Sequence, residues 1–457
     1  MNRAAAAAVL LVLLAAAPGA PPAAAEEPPA QPPPKDPAPP AQPPPRNAAP
    51  AREGPPPNGL DKPFEERVDL AIDEGVTWLK RQASASGTFG RIEGGLSYSG
   101  TREAYDFPAG PTALALYTLL KCGVPAEDPV IQRGFGFLWQ KAYRPAVPMT
   151  SYEISALILA LEARSNPRKR ERERERDAKA RTRRPSPADL RVKLPPPDAA
   201  WMRALVDQLL RRRQAKAGWR YNMAVPADTG TVLPDYQFST DMSSTQLAML
   251  AFAAAERCGF RQKDDLYASV LEWVLSQQEP DGPPVVRWAP GAPAPAASTP
   301  ADRARGWAYS RSSSIAIERT TCASMTACGL ADISVCTAML RDREGRLLEK
   351  GLGDRAERAW WDGTAWLQTY WAVDRNPGGR YRIYYLYCLE RVGDLRGLHL
   401  IAGHDWYREG AQVLLDSQYP RGFWWDDSSH FPCDLLSTCF ALLFLERATV
   451  AVSTSGD

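Results

Sequence analysis

The chain is short of the residues and motifs from which most enzyme sites are built. Its 457 residues include three histidines, and it has no C-x-x-C, G-x-S-x-G, H-E-x-x-H or G-K-[ST] sequence. Redox-dithiol, zinc-ribbon, nucleophile-elbow, zinc-protease and phosphate-loop interpretations therefore have no support. An excess of one charge is lacking too, since 55 Lys and Arg balance 53 Asp and Glu. Nucleic-acid-binding proteins normally carry a clustered basic surface, so we predict no nucleic-acid partner.

Long apolar runs are also absent. The longest, Ala4–Ala17, has 14 residues, whereas spanning a bilayer takes roughly 20. It follows Arg3 and precedes a small-residue site at Ala23–Ala25, which are the three parts of a secretory signal. We therefore predict that residues 1–25 are a signal peptide. The protein is then expected to be exported to the periplasm, cell envelope or extracellular space, without spanning the membrane after cleavage. An uncleaved membrane anchor is the alternative.

The remaining chain divides by composition. Of the 43 prolines, 15 lie in the 32 residues Glu26–Pro57, where proline removes donors and clashes with the preceding turn. We predict a Pro-rich disordered linker over 26–60, a folded domain over 61–450 and a disordered tail over 451–457. Two insertions, one charged and one rich in Pro and Ala, are assigned to 165–198 and 280–318. The charged insertion is interpreted as solvated, and a patch for anionic polymers or lipid head groups is the alternative.

Two kinds of apolar helical segment alternate from residue 61 onward. One kind is amphipathic and ends in Gln before a turn with Gly and usually an aromatic residue. Its copies are Trp78–Gln82 before Gly87–Gly90, Leu209–Gln214 before Gly218-Trp219, Trp273–Gln278 before Asp281-Gly282, and Leu414–Gln418 before Gly422–Trp424. The other kind is apolar on nearly all sides, as expected of a helix buried all round. Its copies are Pro111–Lys121, Ser151–Arg164, Ser243–Cys258, Thr321–Leu340, Tyr384–Val392 and Asp434–Ala448.

Alternation of the two kinds predicts six helical hairpins. Tandem units of this type bury their apolar faces against their neighbours. The hairpins are assigned to 61–122, 129–164, 199–258, 264–340, 353–393 and 402–448. A closed ring covers the inner helices on all sides, so we predict an all-α fold, an α/α toroid of about six hairpins. An open helical solenoid is the alternative.

The repeated Gln, Gly and aromatic pattern resembles the QW repeats of squalene–hopene cyclases and related triterpene cyclases. The six-hairpin ring also resembles the β subunit of protein prenyltransferases, and the similarity extends over most of Asp61–Ala448. The segment Asn376–Gly379, with the tyrosine-rich stretch after it, is similar to secreted members of this group. The resemblance implies a toroid in which the Gln side chains cap helix ends and the aromatic residues stack between repeats.

In the cyclases, a D-x-D-D-T motif protonates an alkene. The segment that matches it is Asp241–Thr245, in which Ser243 stands at the position of the proton donor. A hydroxyl is too weak an acid to protonate an alkene at neutral pH, so the resemblance implies that this chemistry has been lost. Asp241 remains a weak catalytic candidate, and its alternative role is a helix N-cap.

In the prenyltransferases, zinc is held by the Asp and Cys of a D-x-C motif and by a later His. The matching segments are Asp362–Thr364, with Thr in place of Cys, and Asp434–Thr438, with Ser437 in place of His. Zinc strongly prefers sulfur and imidazole ligands, so we predict no metal and no cofactor. Asp362 and Asp434 remain weak catalytic candidates, with helix capping as their alternative role.

Closure of the ring would make the inner helices parallel, with their N-termini at one end. The partial positive charge of those termini favours an anionic group. The candidate ligand-binding residues are aromatic: Trp219, Tyr221, Tyr385, Trp424 and Trp425. We predict an amphipathic or anionic small molecule, or an envelope component, as the ligand. The structural alternative is that these side chains only wedge neighbouring repeats together.

Three functions remain open from the sequence. The leading one is a toroid that binds a ligand or partner without catalysis, and the second is a divergent isoprenoid cyclase or transferase. The third is a carbohydrate-active enzyme, for which Tyr381-Arg382 or Asp426-Asp427 would supply the chemistry. The eight cysteines lie mostly in apolar helical segments and are predicted to be buried free thiols.

Overall fold

The computed structural model describes residues 62–89, 109–142, 150–166, 191–214, 217–220, 240–286, 302–341, 350–428 and 434–449. These residues form α-helices, one short 3₁₀ helix and isolated β-bridges, without a β-strand. The helices are α1 (Phe64–Arg81), α2 (Ala109–Lys121), α3 (Pro129–Ala142), α4 (Ser151–Ser165), α5 (Pro196–Arg211), α6 (Met242–Arg257), α7 (Asp264–Gln277), α8 (Ala323–Met339), α9 (Lys350–Thr369), α10 (Arg382–Arg396), α11 (Trp406–Ser417) and α12 (Asp434–Leu445). The all-α prediction is therefore confirmed.

The even-numbered helices form a closed inner ring. Each of α2, α4, α6, α8, α10 and α12 packs against the next, and α12 packs against α2. The odd-numbered helices lie outside, mostly against the inner helix of the preceding hairpin, as α3 does on α2 and α5 on α4. This confirms the α/α toroid of six hairpins, and the open solenoid is excluded because the last hairpin contacts the first.

Burial follows the two sequence patterns. The outer helix α1 buries one face, which includes Val68, Ile72 and Leu79. Its opposite face carries charged residues that are exposed to solvent. The inner helix α4 is buried at every position from Ser151 to Ala163. A helix in the inner ring has neighbours on both sides and an outer helix behind it, so it has almost no polar face.

A repeated hydrogen bond joins each described glycine–aromatic turn to its inner helix. The backbone N–H of the aromatic residue donates to a threonine hydroxyl in the first turns of that helix. The four pairs are Phe89 to Thr112 (2.9 Å), Trp219 to Thr245 (3.0 Å), Trp307 to Thr326 (3.1 Å) and Trp424 to Thr438 (3.0 Å). The indole N–H groups of Trp219, Trp307 and Trp424 also donate, at 2.8 Å, to carbonyls of the outer helices. The aromatic residues are thus wedged between repeats.

The glycine–aromatic turn of the fourth hairpin differs from the sequence assignment. Gly306 and Trp307 occupy the position that we had assigned to Asp281-Gly282, and Trp307 is fully buried. The error arose because residues 287–301, which lie outside the described residues, separate the Gln from its aromatic partner. Residues 304 and 306–310, which the prediction includes in the insertion 280–318, are buried.

Several sequence predictions fall wholly or partly outside the described residues. These are the signal peptide, the Pro-rich linker, the C-terminal tail and most of the charged insertion, of which residues 167–190 are not described. Within the described ranges, no helix combines the length and apolarity needed to cross a membrane. The seven described cysteines are free thiols, and six of them are buried.

Candidate functional site

The first turns of several inner helices meet at one end of the ring. Tyr152 of α4 donates its hydroxyl to Ser243 of α6 at 2.9 Å, and Ser243 lies 2.6 Å from the hydroxyl of Tyr384 of α10. These three residues are the second or third in their helices. The inner helices α4, α6 and α10 therefore start at the same end, as the ring prediction requires.

A pocket of about 60 Å³ opens at this end, where α6, α8 and α10 begin. Its wall is mixed, since hydroxyl, amide and aromatic side chains lie beside the apolar Ile317, Cys322 and Met325, with Gly378 and Gly379 on one side. Ser243, Ser324, Asn376, Tyr381 and Tyr384 contribute side chains to it, with Arg380 beside them. No carboxylate is among the described residues that line it.

The loop that precedes α10 forms one side of the pocket and is built onto the start of α8. Asn376 accepts from the backbone N–H of Ser324 at 3.0 Å and donates to the Ser324 hydroxyl at 2.9 Å. Gly378 has a φ of 72°, and a Cβ there would lie 2.3 Å from the carbonyl oxygen of Thr321. Tyr381 has a φ of 66° although it is not glycine, a conformation that costs free energy. Such strain at a pocket wall is typical of a site that holds a side chain in a required direction.

Asp241 lies behind the pocket wall in a buried cluster of charges. Its carboxylate accepts from the backbone N–H of Ser244 at 2.7 Å and from the Ser244 hydroxyl at 2.8 Å, which confirms the N-cap prediction. Arg220 lies 3.9 Å from Asp241 and 3.1 Å from Glu318. Burial raises the pKa of Asp241 to about 6, against the opposing effect of Arg220. The cluster ties the turn after α5 to the 3₁₀ helix Ala316–Arg319 at the rim of the pocket.

A second cluster of buried polar side chains lies in the inner ring below the pocket. Arg391 of α10 is fully buried, donates to the side-chain oxygen of Gln246, and lies 3.5 Å from the centre of the Tyr387 ring. Burial raises the pKa of Asp332 well above its ordinary value, although Arg391 acts to lower it. Buried polar side chains of the described inner helices therefore lie below the pocket.

The other two catalytic candidates lie apart from the pocket. Asp362 is inside the outer helix α9, where it pairs with Arg305 at 2.8 Å. The prediction that Asp362 caps a helix is wrong, because the helix begins well before it at Lys350. Asp434 is the first residue of α12 and accepts from the backbone N–H of Leu435 at 2.8 Å. None of the three aspartates is among the described residues that line the pocket.

The aromatic candidates are mostly buried in the packing between repeats. Trp219 and Trp424 are fully buried wedges, as described above, and Trp425 is partly buried against the core. Tyr385 is also fully buried, while its neighbour Tyr384 lines the pocket. Successive helical residues point about 100° apart, so only one of two adjacent tyrosines can face the pocket. Tyr221 lies outside the described residues.

The sequence analysis missed Arg220, Glu318 and Asn376. Arg220 directly follows a glycine–aromatic turn, and Asn376 precedes Pro-Gly-Gly, so the sequence predicts that both residues lie in turns. Their partners lie 98 and 52 residues away, and no local pattern identifies such pairs. Within the described residues, no group of three or more His, Cys, Asp and Glu side chains is arranged to hold a metal ion.

Comparison with known proteins adds little to this geometry. No family model matches the chain, and no curated protein matches it. Among solved structures it is similar to an unsaturated glucuronyl hydrolase specific for heparin, at 12% identity and a TM-score of 0.43 over 83% of this chain and 96% of that chain. A likeness at this level says nothing about the site. What the helix packing establishes is the fold, an α/α toroid of six helical hairpins.

Proposed function

We propose that the toroid binds a small anionic ligand in the pocket at the start of α6, α8 and α10, without the cyclase acid or the transferase zinc site. The observation that carries this proposal is that Arg380 stands at the pocket while no carboxylate is among the described residues of its wall, which otherwise combines hydroxyl groups with the apolar side chains of Ile317 and Met325. The starts of three inner helices add partial positive charge at the same place.

The nearby carboxylates are already engaged in holding the helices. Asp241 accepts from Ser244 at the start of α6. Asp426 accepts from the backbone N–H of Ile383 at 3.0 Å and so caps α10 from the neighbouring hairpin. Ser243, at the position of the cyclase proton donor, is hydrogen-bonded between two tyrosines. These contacts support binding over proton transfer to an alkene.

The size of the pocket limits what enters it. A volume of about 60 Å³ has room for on the order of five water molecules. One acidic group and the ring or chain that carries it would fit, with the rest of the ligand outside. Arg380 is exposed at the mouth, where a guanidinium can pair with a carboxylate or sulfate through two parallel hydrogen bonds.

The test compares matched acidic and neutral ligands by isothermal titration calorimetry. Glucuronate has a carboxylate that glucose lacks. We expect glucuronate to bind at least about tenfold more tightly, because one charge-assisted hydrogen bond contributes about that much to affinity. Arg380→Gln should remove most of that difference. Arg375→Gln, which changes an exposed arginine paired with Asp374 at 3.1 Å, is the matched control and should preserve it. Equal binding of the acid and the neutral sugar would contradict the proposal.

A second candidate function is a carbohydrate-active enzyme, as the sequence analysis allowed. The sequence suggested Tyr381-Arg382 for this role, whereas the arginine that lines the pocket beside Tyr381 is Arg380. The pair of Tyr381 and Arg380 is the observation that favours this function. A tyrosine base with an arginine that neutralises a uronate carboxylate is suited to proton abstraction beside that carboxylate. Incubation with uronate-containing glycans should then generate an unsaturated product, and Tyr381→Phe should abolish it. An absence of product with the wild-type protein would leave binding as the function.

The isoprenoid alternative has its own test. Purified protein would be incubated with squalene and with isoprenyl diphosphates, and the products analysed by mass spectrometry. We expect no conversion, because Ser243 replaces the acid.

Export is likewise proposed rather than observed. A mass spectrum of the mature protein beginning at Glu26 would support it, and one beginning at Met1 would support the anchor.

A further inference from the structure

Two cysteines meet directly below the pocket. Cys328 of α8 and Cys388 of α10 have their sulfur atoms 3.8 Å apart, and both side chains are fully buried. A disulfide requires about 2.0 Å between the sulfur atoms. The two helices pack against each other in the inner ring. Side-chain rotation with a small helix shift would therefore bring the sulfur atoms to bonding distance.

The pair is linked to the pocket through Tyr384. The hydroxyl of Tyr384 lies 3.8 Å from the Cys328 sulfur and 2.6 Å from Ser243, and Tyr384 itself lines the pocket. Cys388 follows Tyr384 by one helical turn, on the same face of α10. A change in the bonding of the two cysteines would thus be transmitted to a residue of the pocket wall.

The two thiols have unequal surroundings. Burial acts to raise the pKa of Cys388, but the hydrogen bond with Cys328 and the charge of Arg391 outweigh it and lower that pKa. Burial raises the pKa of Cys328 well above its ordinary value. The thiolate is the nucleophile in thiol–disulfide exchange, so Cys388 is the attacking member of the pair.

We propose that Cys328 and Cys388 form a reversible redox pair that closes to a disulfide between α8 and α10 by exchange with a small-molecule disulfide. The Cys388 thiolate attacks one sulfur of the reagent, forms a mixed disulfide and releases the first thiolate. That thiolate takes the Cys328 proton, and the Cys328 sulfur displaces the second thiolate from Cys388. The second thiolate takes up the proton that Cys388 released on ionising, so the protein loses two electrons and two protons in all and one small disulfide becomes two thiols. Oxidation moves Tyr384 and thereby changes the pocket.

The experiment uses the native full-length protein and a small aliphatic disulfide such as oxidised β-mercaptoethanol. After remaining thiols are alkylated, tryptic peptides are analysed by mass spectrometry. Cys388 lies alone in the peptide 383–391, whereas Cys328 shares the peptide 320–341 with Cys322 and Cys336. The expected product is a cross-link of these two peptides, which forms without denaturant and is reversed by dithiothreitol.

Variants identify the partner. Cys328→Ser should abolish the cross-link, whereas Cys336→Ser, which changes a buried cysteine of the same helix and peptide, should leave it unchanged. Oxidation should also quench or shift the tyrosine fluorescence or near-ultraviolet circular dichroism in wild type but not in Cys328→Ser. The proposal fails if the wild-type protein forms the cross-link only after unfolding, or if Cys388 joins a different cysteine. None of these results depends on which ligand the pocket binds.

Discussion

The side-chain amide of Gln418 donates to the backbone oxygen of Ala71 at 2.9 Å, across 347 residues of chain. It thereby joins the end of the last outer helix, α11, to the middle of the first, α1. Gln278 makes the same kind of contact, since its amide donates to the backbone oxygen of Ala359 at 2.9 Å. The Gln278 contact links two successive hairpins, and the Gln418 contact closes the ring.

Removing the closing contact should lower stability. Gln418 is buried, so Gln418→Ala deletes a buried hydrogen bond and should lower the free energy of unfolding by about 1–3 kcal/mol. Equilibrium denaturation with urea measures this. Gln412→Ala is the control, because Gln412 bonds only Asp416 on the exposed side of the same helix, and it should change stability by less than about 0.5 kcal/mol. A similar loss in both variants would contradict a closing role.

The repeated threonine contact can be tested at Thr245. In Thr245→Val the shape is nearly preserved, but the buried N–H of Trp219 loses its acceptor, which should cost about 1–3 kcal/mol. Thr369→Val is matched, since the Thr369 hydroxyl bonds only the carbonyl of Ala365 in its own helix. Denaturation midpoints of the two variants should differ clearly. Equal midpoints would mean that the threonine hydroxyl is not needed to hold the turn.

Alanine substitutions at two glycines distinguish the free-energy cost of backbone strain from the cost of steric overlap. Gly378 and Gly397 have similar positive φ values, 72° and 66°, so alanine at either should cost about 1 kcal/mol or more from conformation alone. Only Gly378 has an obstacle, the Thr321 carbonyl oxygen, while a Cβ at Gly397 would meet nothing within 4 Å. Gly378→Ala should therefore be the more destabilising in urea denaturation and should also weaken ligand binding at the pocket. The reverse order would contradict the position of the loop.

Asp241 should make stability depend on pH. Its pKa is about 6 in the folded protein against an ordinary value of 3.8, so between these values the folded state holds a proton that the unfolded state has released. Stability should fall as pH rises from about 4 to about 6, by an amount of order 3 kcal/mol, and then level off. Asp241→Asn keeps the bond from Ser244 and removes the titration.

The measurement is the free energy of unfolding of wild type and Asp241→Asn at about pH 4 and about pH 7. The variant should gain relative to wild type at the higher pH. Asp405→Asn, at the helix cap that accepts from Arg408 at 3.0 Å on the exposed side of α11, is the control and should show no such relative gain. An unchanged difference between wild type and Asp241→Asn at the two pH values would rule out the raised pKa.

The sequence predicted the fold well because the relevant signals are local. The amphipathic helices, the Gln and glycine turns, and the apolar inner helices each occupy fewer than about 25 consecutive residues. The N-cap at Asp241 was also readable, since it depends on residues three positions apart. The turn of the fourth hairpin was assigned to the wrong residues for the opposite reason, because an insertion separates Gly306 and Trp307 from Gln278.

By itself, the sequence determined the number of hairpins and the inner or outer role of each helix. Only the tertiary structure decided which polar residues meet. Ser243 and Tyr384 are 141 residues apart, and Cys328 and Cys388 are 60 apart. Such contacts depend on how the ring closes and on the rotation of each inner helix about its axis. The periodicity of a single helix predicts neither the closure of the ring nor this rotation, because an inner helix is apolar on nearly every side.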